Sequence, residues 1–302
     1  MLQLLGQYPK NKPMVTINKT VLMSGADYFS DQFAINAHMN ERVAVDVERA
    51  KAEHAAIKQA MLTAGINVVQ VPPPKDCQDG VYTANWALCR GDNAVLSALP
   101  NKRQAETSYA ELVLKRQGKT ILRLPEGVRF SGQGDALPFG DFIFMGTNYR
   151  TDFSSHAYIK HMLGYNVISL QTIPKRKFWG YGPRILNKVT GWPDSYYYDL
   201  DLALAVLDND TIAYCPAAFV PASRKLLDSL PIRKIKVSRR EATKGFACNL
   251  VSTGETVIMS ARAPKLKAAI EAMGFKTITP KVTELGKGGG YIRCTTLTLD
   301  NK

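Results

Sequence analysis

Five short apolar runs of one style decide how this chain is read: TVLMS at 20–24, NAVLS at 93–97, DFIFM at 141–145, TIAYC at 211–215 and TVIMS at 256–260. They are rich in β-branched and aromatic residues, as buried strands are. Each is followed by a helix-like stretch. These include ERVAVDVERAKAEHAAIKQAMLTAG, AYIKHMLG, PASRKLLDSL and APKLKAAIEAMG, in which apolar residues recur at three- and four-residue spacing. Three of them end at Gly65, Gly164 and Gly274, where a helix C-cap favours glycine. A second strand then begins: INVVQV (66–71), KTILRL (119–124), YNVISL (165–170), IRKIKV (232–237) and FKTITP (275–280).

A third segment, richer in small and polar residues, closes each unit: DGVYTAN (79–85), SGQGDAL (131–137), DLDLALAVL (199–207), ACNLVST (247–253) and GGGYIRCTT (288–296). In the third unit a long insertion, PKRKFWGYGPRILNKVTGWPDSYYY (174–198), precedes it, as expected for a loop near a site mouth. Five such units predict a single-domain α/β protein over 1–302, a five-bladed α/β propeller of pseudo-five-fold ββαβ repeats. The units fall near 15–76, 77–125, 126–190, 191–240 and 241–302. Read as strands facing a shared axis, the third segments bring together Asn85, Ser131, Asp135, Asp199, Asp201, Asn249 and Cys294. On a strand, Asp199 and Asp201 project to one face, and paired carboxylates raise one pKa.

With 45% hydrophobic residues in 302, the composition is that of a protein with a substantial core, not a disordered chain. The start, MLQLLGQYPKNKP, has no apolar run long enough for a signal peptide, and no later stretch approaches membrane-spanning length. A cytoplasmic protein is expected. Cys77, Cys89, Cys215, Cys248 and Cys294 are widely spaced, without a CxxC pair or a Cys/His cluster, so free thiols and no metal or cofactor are expected. The net charge of +13 is densest between Arg224 and Lys244, where no nucleic-acid motif accompanies it. That run reads as a solvated basic face.

The ordered runs FAINAHM (33–39), VYTAN (81–85), FSGQGDAL (130–137), TNYRTD (147–152), DLDLALAVL and GGGYIRCTT resemble the motifs of the guanidino-modifying (pentein) superfamily. The branch is that of arginine dihydrolase, dimethylarginine dimethylaminohydrolase and amidinotransferase, and the resemblance spans nearly the whole chain. It implies a cysteine thiolate that attacks a guanidinium carbon, followed by release of the amidino-thioether to water or to an acceptor amine. By that resemblance Cys294 is the nucleophile, Arg150 holds the substrate carboxylate, Asp201 grips guanidinium nitrogens, and Asn36 and Asn85 hydrogen-bond the guanidine. The partner implied is a small amino-acid substrate; neither a membrane nor a nucleic acid is expected, and a homo-oligomer is left open.

Two positions depart from the pattern. The family's His-Leu-Asp reads Asp199-Leu200-Asp201, which makes Asp199 an altered proton-handling group, and a glutamate expected to contact the guanidinium is Ser131. None of the four histidines is an obvious replacement, His38 being the one the alignment brings near the pocket. The leading expectation is a cysteine-dependent hydrolase or amidinotransferase acting on C–N bonds of arginine or an arginine-like amino acid. Two alternatives stay open: a degenerate relative that binds an arginine-like ligand or a protein partner without turnover, and a propeller that binds RNA.

Overall fold

The five apolar runs become the central strands of five three-stranded sheets. The structure, a computed structural model, describes residues 16–40, 43–177 and 182–301. Residues 1–15, which include the start MLQLLGQYPKNKP, Glu41 and Arg42 of the first helical stretch, residues 178–181 of the insertion and Lys302 lie outside the described residues. β1 (Thr20–Met23) passes through helix α1 (Val47–Thr63) to β2 (Asn67–Gln70), which lies parallel to it. The next blade is β3 (Ala87–Arg90), β4 (Asn93–Leu96), α2 (Ala105–Arg116) and β5 (Thr120–Leu122). β6 (Ala136–Phe139), β7 (Phe142–Met145), α3 (Ser155–Leu163) and β8 (Asn166–Ser169) repeat the plan. So do β9 (Leu204–Val206), β10 (Thr211–Tyr214), α4 (Pro221–Ser229) and β11 (Arg233–Lys236). A short helix, α5 (Arg239–Gly245), then leads into β12 (Val251–Ser252), β13 (Thr256–Ile258), α6 (Pro264–Ala272) and β14 (Lys276–Ile278).

In every sheet the central strand runs parallel to the strand after its helix and antiparallel to the strand of the third segment. The first blade takes that antiparallel strand from the other end of the chain: β15 (Leu297–Thr298) pairs with β1, Val21 opposite Thr298. This blade therefore crosses the boundaries drawn near 15–76 and 241–302, and its pairing closes the ring. Central strands are buried on both faces, which is why they read as unbroken apolar runs. Gly65, Gly164 and Gly274 sit at positive φ at the helix ends where the sequence placed them. Among the described residues no helix is long and apolar enough to cross a membrane.

The third segments differ from expectation. Thr83–Asn85, Gly132–Gly134 and Leu200–Leu202 are single 3-10 turns that precede β3, β6 and β9. Asp199 is extended and Asp201 lies within its turn, so the two carboxylates do not share the face of a strand. The cause is long-range: Asp135 Oδ1 accepts the Leu200 amide at 2.9 Å, pulling the backbone into the turn. Two positions along a 3-10 turn point far apart around its axis.

Candidate active site

Cys294 is held by a loop in which side chains can hardly be tolerated. Glu53 of α1 accepts the amides of Thr283, Glu284 and Leu285 at 2.8, 2.8 and 3.1 Å and so fixes the entry to this loop. Tyr82 donates to the Leu285 carbonyl at 2.5 Å and Tyr198 to that of Gly289 at 2.9 Å. A Cβ on Gly290 would run into the Tyr82 ring and lie 3.0 Å from Cys294 Cβ; one on Gly289, where φ is +87°, would strike Asn36. The glycine run thus permits the close approach that its sequence suggested.

The Cys294 thiol is 1% exposed. Asn249 clamps it, its Nδ2 donating to Sγ and its Oδ1 accepting the Cys294 amide, both at 3.2 Å. Sγ donates to Asp201 Oδ2 at 3.4 Å. Burial first, and then the carboxylates of Asp201 and Asp199, push this thiol well above its ordinary range, so the resting group is protonated.

Asp199 is surrounded by donors. Its Oδ2 accepts Asn85 Nδ2 at 2.8 Å and lies 3.7 Å from Arg150 Nη1, and its Oδ1 accepts the Ser131 hydroxyl at 2.8 Å. Ser131 therefore contacts a carboxylate, a place that another carboxylate would fill only against charge repulsion. Behind it stands a buried pair: Arg103 forks onto Glu106 at 2.8 and 2.6 Å and donates to Asn85 Oδ1 at 2.8 Å, which fixes the amide so that Nδ2 faces Asp199.

Asp201 is the contrast. Its Oδ2 receives the weak thiol donor, and its Oδ1 is buried with no partner among the described residues. Burial, then the nearby Asp199 charge, raise it well above the usual carboxylate range, while Arg293 opposes that rise. Asp135 is likewise pushed up, to about 8, with burial the main cause. A cavity of about 130 Å³ reaches Asp201 and Arg293.

Arg150 stacks on Tyr198, 4.1 Å from the ring centre, and its Nη2 is buried without a partner beside a small void of about 10 Å³. The structure thus gathers Cys294, Asp201, Asp199, Ser131, Asn85 and Arg150 around one sealed centre. Two expected substrate contacts are engaged elsewhere. Asn85 bonds Ser131, Asp199 and Arg103, while Asn36 donates to the Gly288 carbonyl at 2.9 Å and accepts the His38 amide, tying segment 33–40 down as a cover. His38 bonds the Tyr196 carbonyl at 2.8 Å and is lowered to about 4, mainly by burial, so it makes a poor substitute base. The insertion joins the cover through Asn187, whose Nδ2 donates to the Ala34 carbonyl at 2.9 Å. Sequence reasoning gave Asn249 a place but no role and missed Arg103. The repeat position marked the first, whereas nothing in NKRQAE distinguishes Arg103 from a surface arginine.

The chain is similar to known proteins over most of its length. Residues 26–190 match the family model of eukaryotic N,N dimethylarginine dimethylhydrolase. The N(G),N(G)-dimethylarginine dimethylaminohydrolase of Mycobacterium tuberculosis is 32% identical over 92% of this chain and 84% of its own. The bifunctional arginine dihydrolase/ornithine cyclodeaminase AgrE of Nostoc sp. is 31% identical over 91% of this chain, which spans 37% of AgrE. Among solved structures, the product-bound N-terminal domain of the cyanobacterial arginine dihydrolase ArgZ superposes with a TM-score of 0.83 at 30% identity, over 93% of this chain and 97% of that one. Another structure of that domain holds a covalently bound reaction intermediate. A dimethylarginine dimethylaminohydrolase adduct with 4-chloro-2-hydroxymethylpyridine, at 20% identity and a TM-score of 0.68, shares the fold. The sealed cysteine, the five-bladed ring and these matches lead to one conclusion: the chain belongs to the dimethylarginine dimethylaminohydrolase family of the guanidino-modifying, pentein superfamily.

Proposed function

We propose that the protein hydrolyses a C–N bond in the guanidino group of arginine or an arginine-like amino acid, with Cys294 as the nucleophile. The observation that carries this reading is the buried Cys294 thiol hydrogen-bonded to a carboxylate, together with two buried atoms that lack a hydrogen-bond partner among the described residues, Arg150 Nη2 and Asp201 Oδ1. An amino acid with a cationic tail offers a carboxylate to the first and guanidinium N–H groups to the second.

The same contacts supply the chemistry. A bound guanidinium offsets the negative field that holds the thiol protonated and, as a cation beside Asp201, brings that carboxyl back to its ionised form with loss of its proton to solvent. The Cys294 proton passes to Asp201 Oδ2, already its hydrogen-bond acceptor at 3.4 Å, and the thiolate forms a bond to the guanidinium carbon. The C–N bond then breaks and the leaving amine takes that proton back. Water attacks the carbon of the amidino-thioether through Asp201, the C–S bond breaks, the oxygen stays on the ureido product and a water proton returns to the Cys294 sulfur. In this reading Asp201 carries the proton and Asp199, ringed by donors, anchors Asn85, Ser131 and Arg150. Hydrolysis is preferred over amidino transfer because the relatives matched above are hydrolases by name.

A second reading, ligand binding without turnover, draws support from the seal over Cys294 and from the raised thiol. The test is product analysis by mass spectrometry after incubation with arginine, methylated arginines and ureido amino acids. Amine and ureido or amino-acid products that vanish in Cys294→Ala support the hydrolase. Thermal stabilisation by arginine with no product from any of these compounds supports the binder.

A further inference from the structure

Four cations of the basic run are already satisfied. Arg224 and Lys236 pair with Asp228 at 3.8 and 3.3 Å, and Arg233 pairs with Asp208 and Asp210 at 2.8 and 3.2 Å. Lys234 Nζ donates to the carbonyls of Asp228 and Leu230. Arg239 and Lys244, at the two ends of α5, make no ion pair among the described residues and line a cleft of about 510 Å³. Arg262, exposed and also without an ion pair among the described residues, and Lys287 line it too. Lys287 is braced against Glu284 at 2.6 Å and the Ala44 carbonyl at 2.8 Å. Among the described residues that line the cleft, none is acidic.

Three cations without an ion pair among the described residues, Arg239, Lys244 and Arg262, stand around a concavity beside the Glu284-paired Lys287, and they focus a field that concentrates anions. Guanidinium forks and ammonium groups together suit phosphate or carboxylate oxygens. The cleft also borders elements that lead to Cys294. His38 and Phe246 line it with ring centres 5.0 Å apart, and Phe246 stacks on Tyr291 at 5.1 Å, three residues before Cys294. His38 belongs to the cover that Asn36 ties to Gly288, and Gly286 and Lys287 lead into the glycine run.

We propose that this cleft is a binding site for a small polyvalent anion, carrying phosphate or paired carboxylate groups, held by Arg239, Lys244, Arg262 and Lys287 beside the His38 segment that Asn36 ties to the glycine run. The site does not depend on Cys294 chemistry. Its anion has two sources in principle, an acidic group on the substrate or a separate molecule, and both present the same oxygens.

The test is calorimetric titration of the full chain with inorganic pyrophosphate at low ionic strength, together with NMR of the His38 ring. The expected result is one saturable site, a shifted His38 signal, and affinity that falls at least ten-fold in Arg239→Gln/Arg262→Gln. The equally charge-reduced control Arg116→Gln/Lys225→Gln should bind within two-fold of the native chain. In the Cys294→Ala background, displacement of pyrophosphate by an Asp-Arg dipeptide but not by arginine assigns the anion to the substrate. Pyrophosphate retained with either compound assigns it to a separate ligand. Absence of saturable binding, or equal weakening in both double variants, overturns the site.

Discussion

The wall around Asp199 and the wall around Asp201 treat a buried carboxylate in opposite ways. Asp199 receives Asn85, Ser131 and Arg150, with Arg103 behind, so its charge is solvated by protein as water would solvate it. Asp201 receives a thiol on one oxygen and nothing on the other. Two residues of the same type, separated by Leu200, are thereby assigned to different tasks, one to holding the pocket and one to receiving what enters it. An incomplete hydrogen-bond set at a buried polar group destabilises the empty protein and favours a ligand that completes it.

That contrast can be broken in several ways. The largest effect belongs to Cys294→Ala, which leaves both carboxylates in place; turnover of whichever guanidino compound is processed should fall by at least about 1,000-fold in a product assay. Asp199→Ala should come next. It leaves the Arg150 cation and the donors of Asn85 and Ser131 buried without their acceptor, and chemical denaturation should show a loss of about 3–5 kcal/mol. A stability unchanged within 1 kcal/mol would mean that Asp199 anchors nothing.

His54 sharpens the comparison as a buried titratable group outside the site. Its Nε2 has no partner among the described residues, and burial lowers its pKa from 6.5 to about 4. A base depressed in the fold contributes stability above pH 6.5 and loses it as the pH falls through about 4. The loss is about 3 kcal/mol at most. His54→Gln should therefore reduce the drop in stability between pH 7 and pH 4. Asp201→Asn should have the smallest effect on the fold, under about 1 kcal/mol, because burial already pushes Asp201 toward its neutral form and the amide is a neutral group of the same shape. In the Cys294→Ala background it should still weaken arginine binding by about 10–100-fold, as loss of a charged hydrogen bond does. The opposite outcome, a large stability loss with affinity intact, would exchange the roles of the two carboxylates.

The fold was legible because its central strands are buried on both faces and repeat five times, with helix-capping glycines at Gly65, Gly164 and Gly274 to mark the periods. The turns at the axis were not, since what bends Leu200–Leu202 is a side chain 65 residues away, Asp135. The residues around the thiol were legible through shared position in the units and through the glycine run before Cys294. Their partners were less so. Asn85 and Asn36 look like ligands for a guanidine in sequence, yet the structure engages both with protein, and the arginine that orients Asn85 sits in a polar stretch that carries no sign of burial.

The most direct measurement is intact-protein mass spectrometry after rapid acid quenching of the protein with arginine and its methylated and ureido relatives, followed by peptide mapping. A transient amidino adduct on Cys294, absent from Cys294→Ala and diminished in Asp201→Asn, is the result this account requires. Product formed at an undiminished rate by Cys294→Ala, or an adduct mapped to Cys77, Cys89, Cys215 or Cys248, would contradict it.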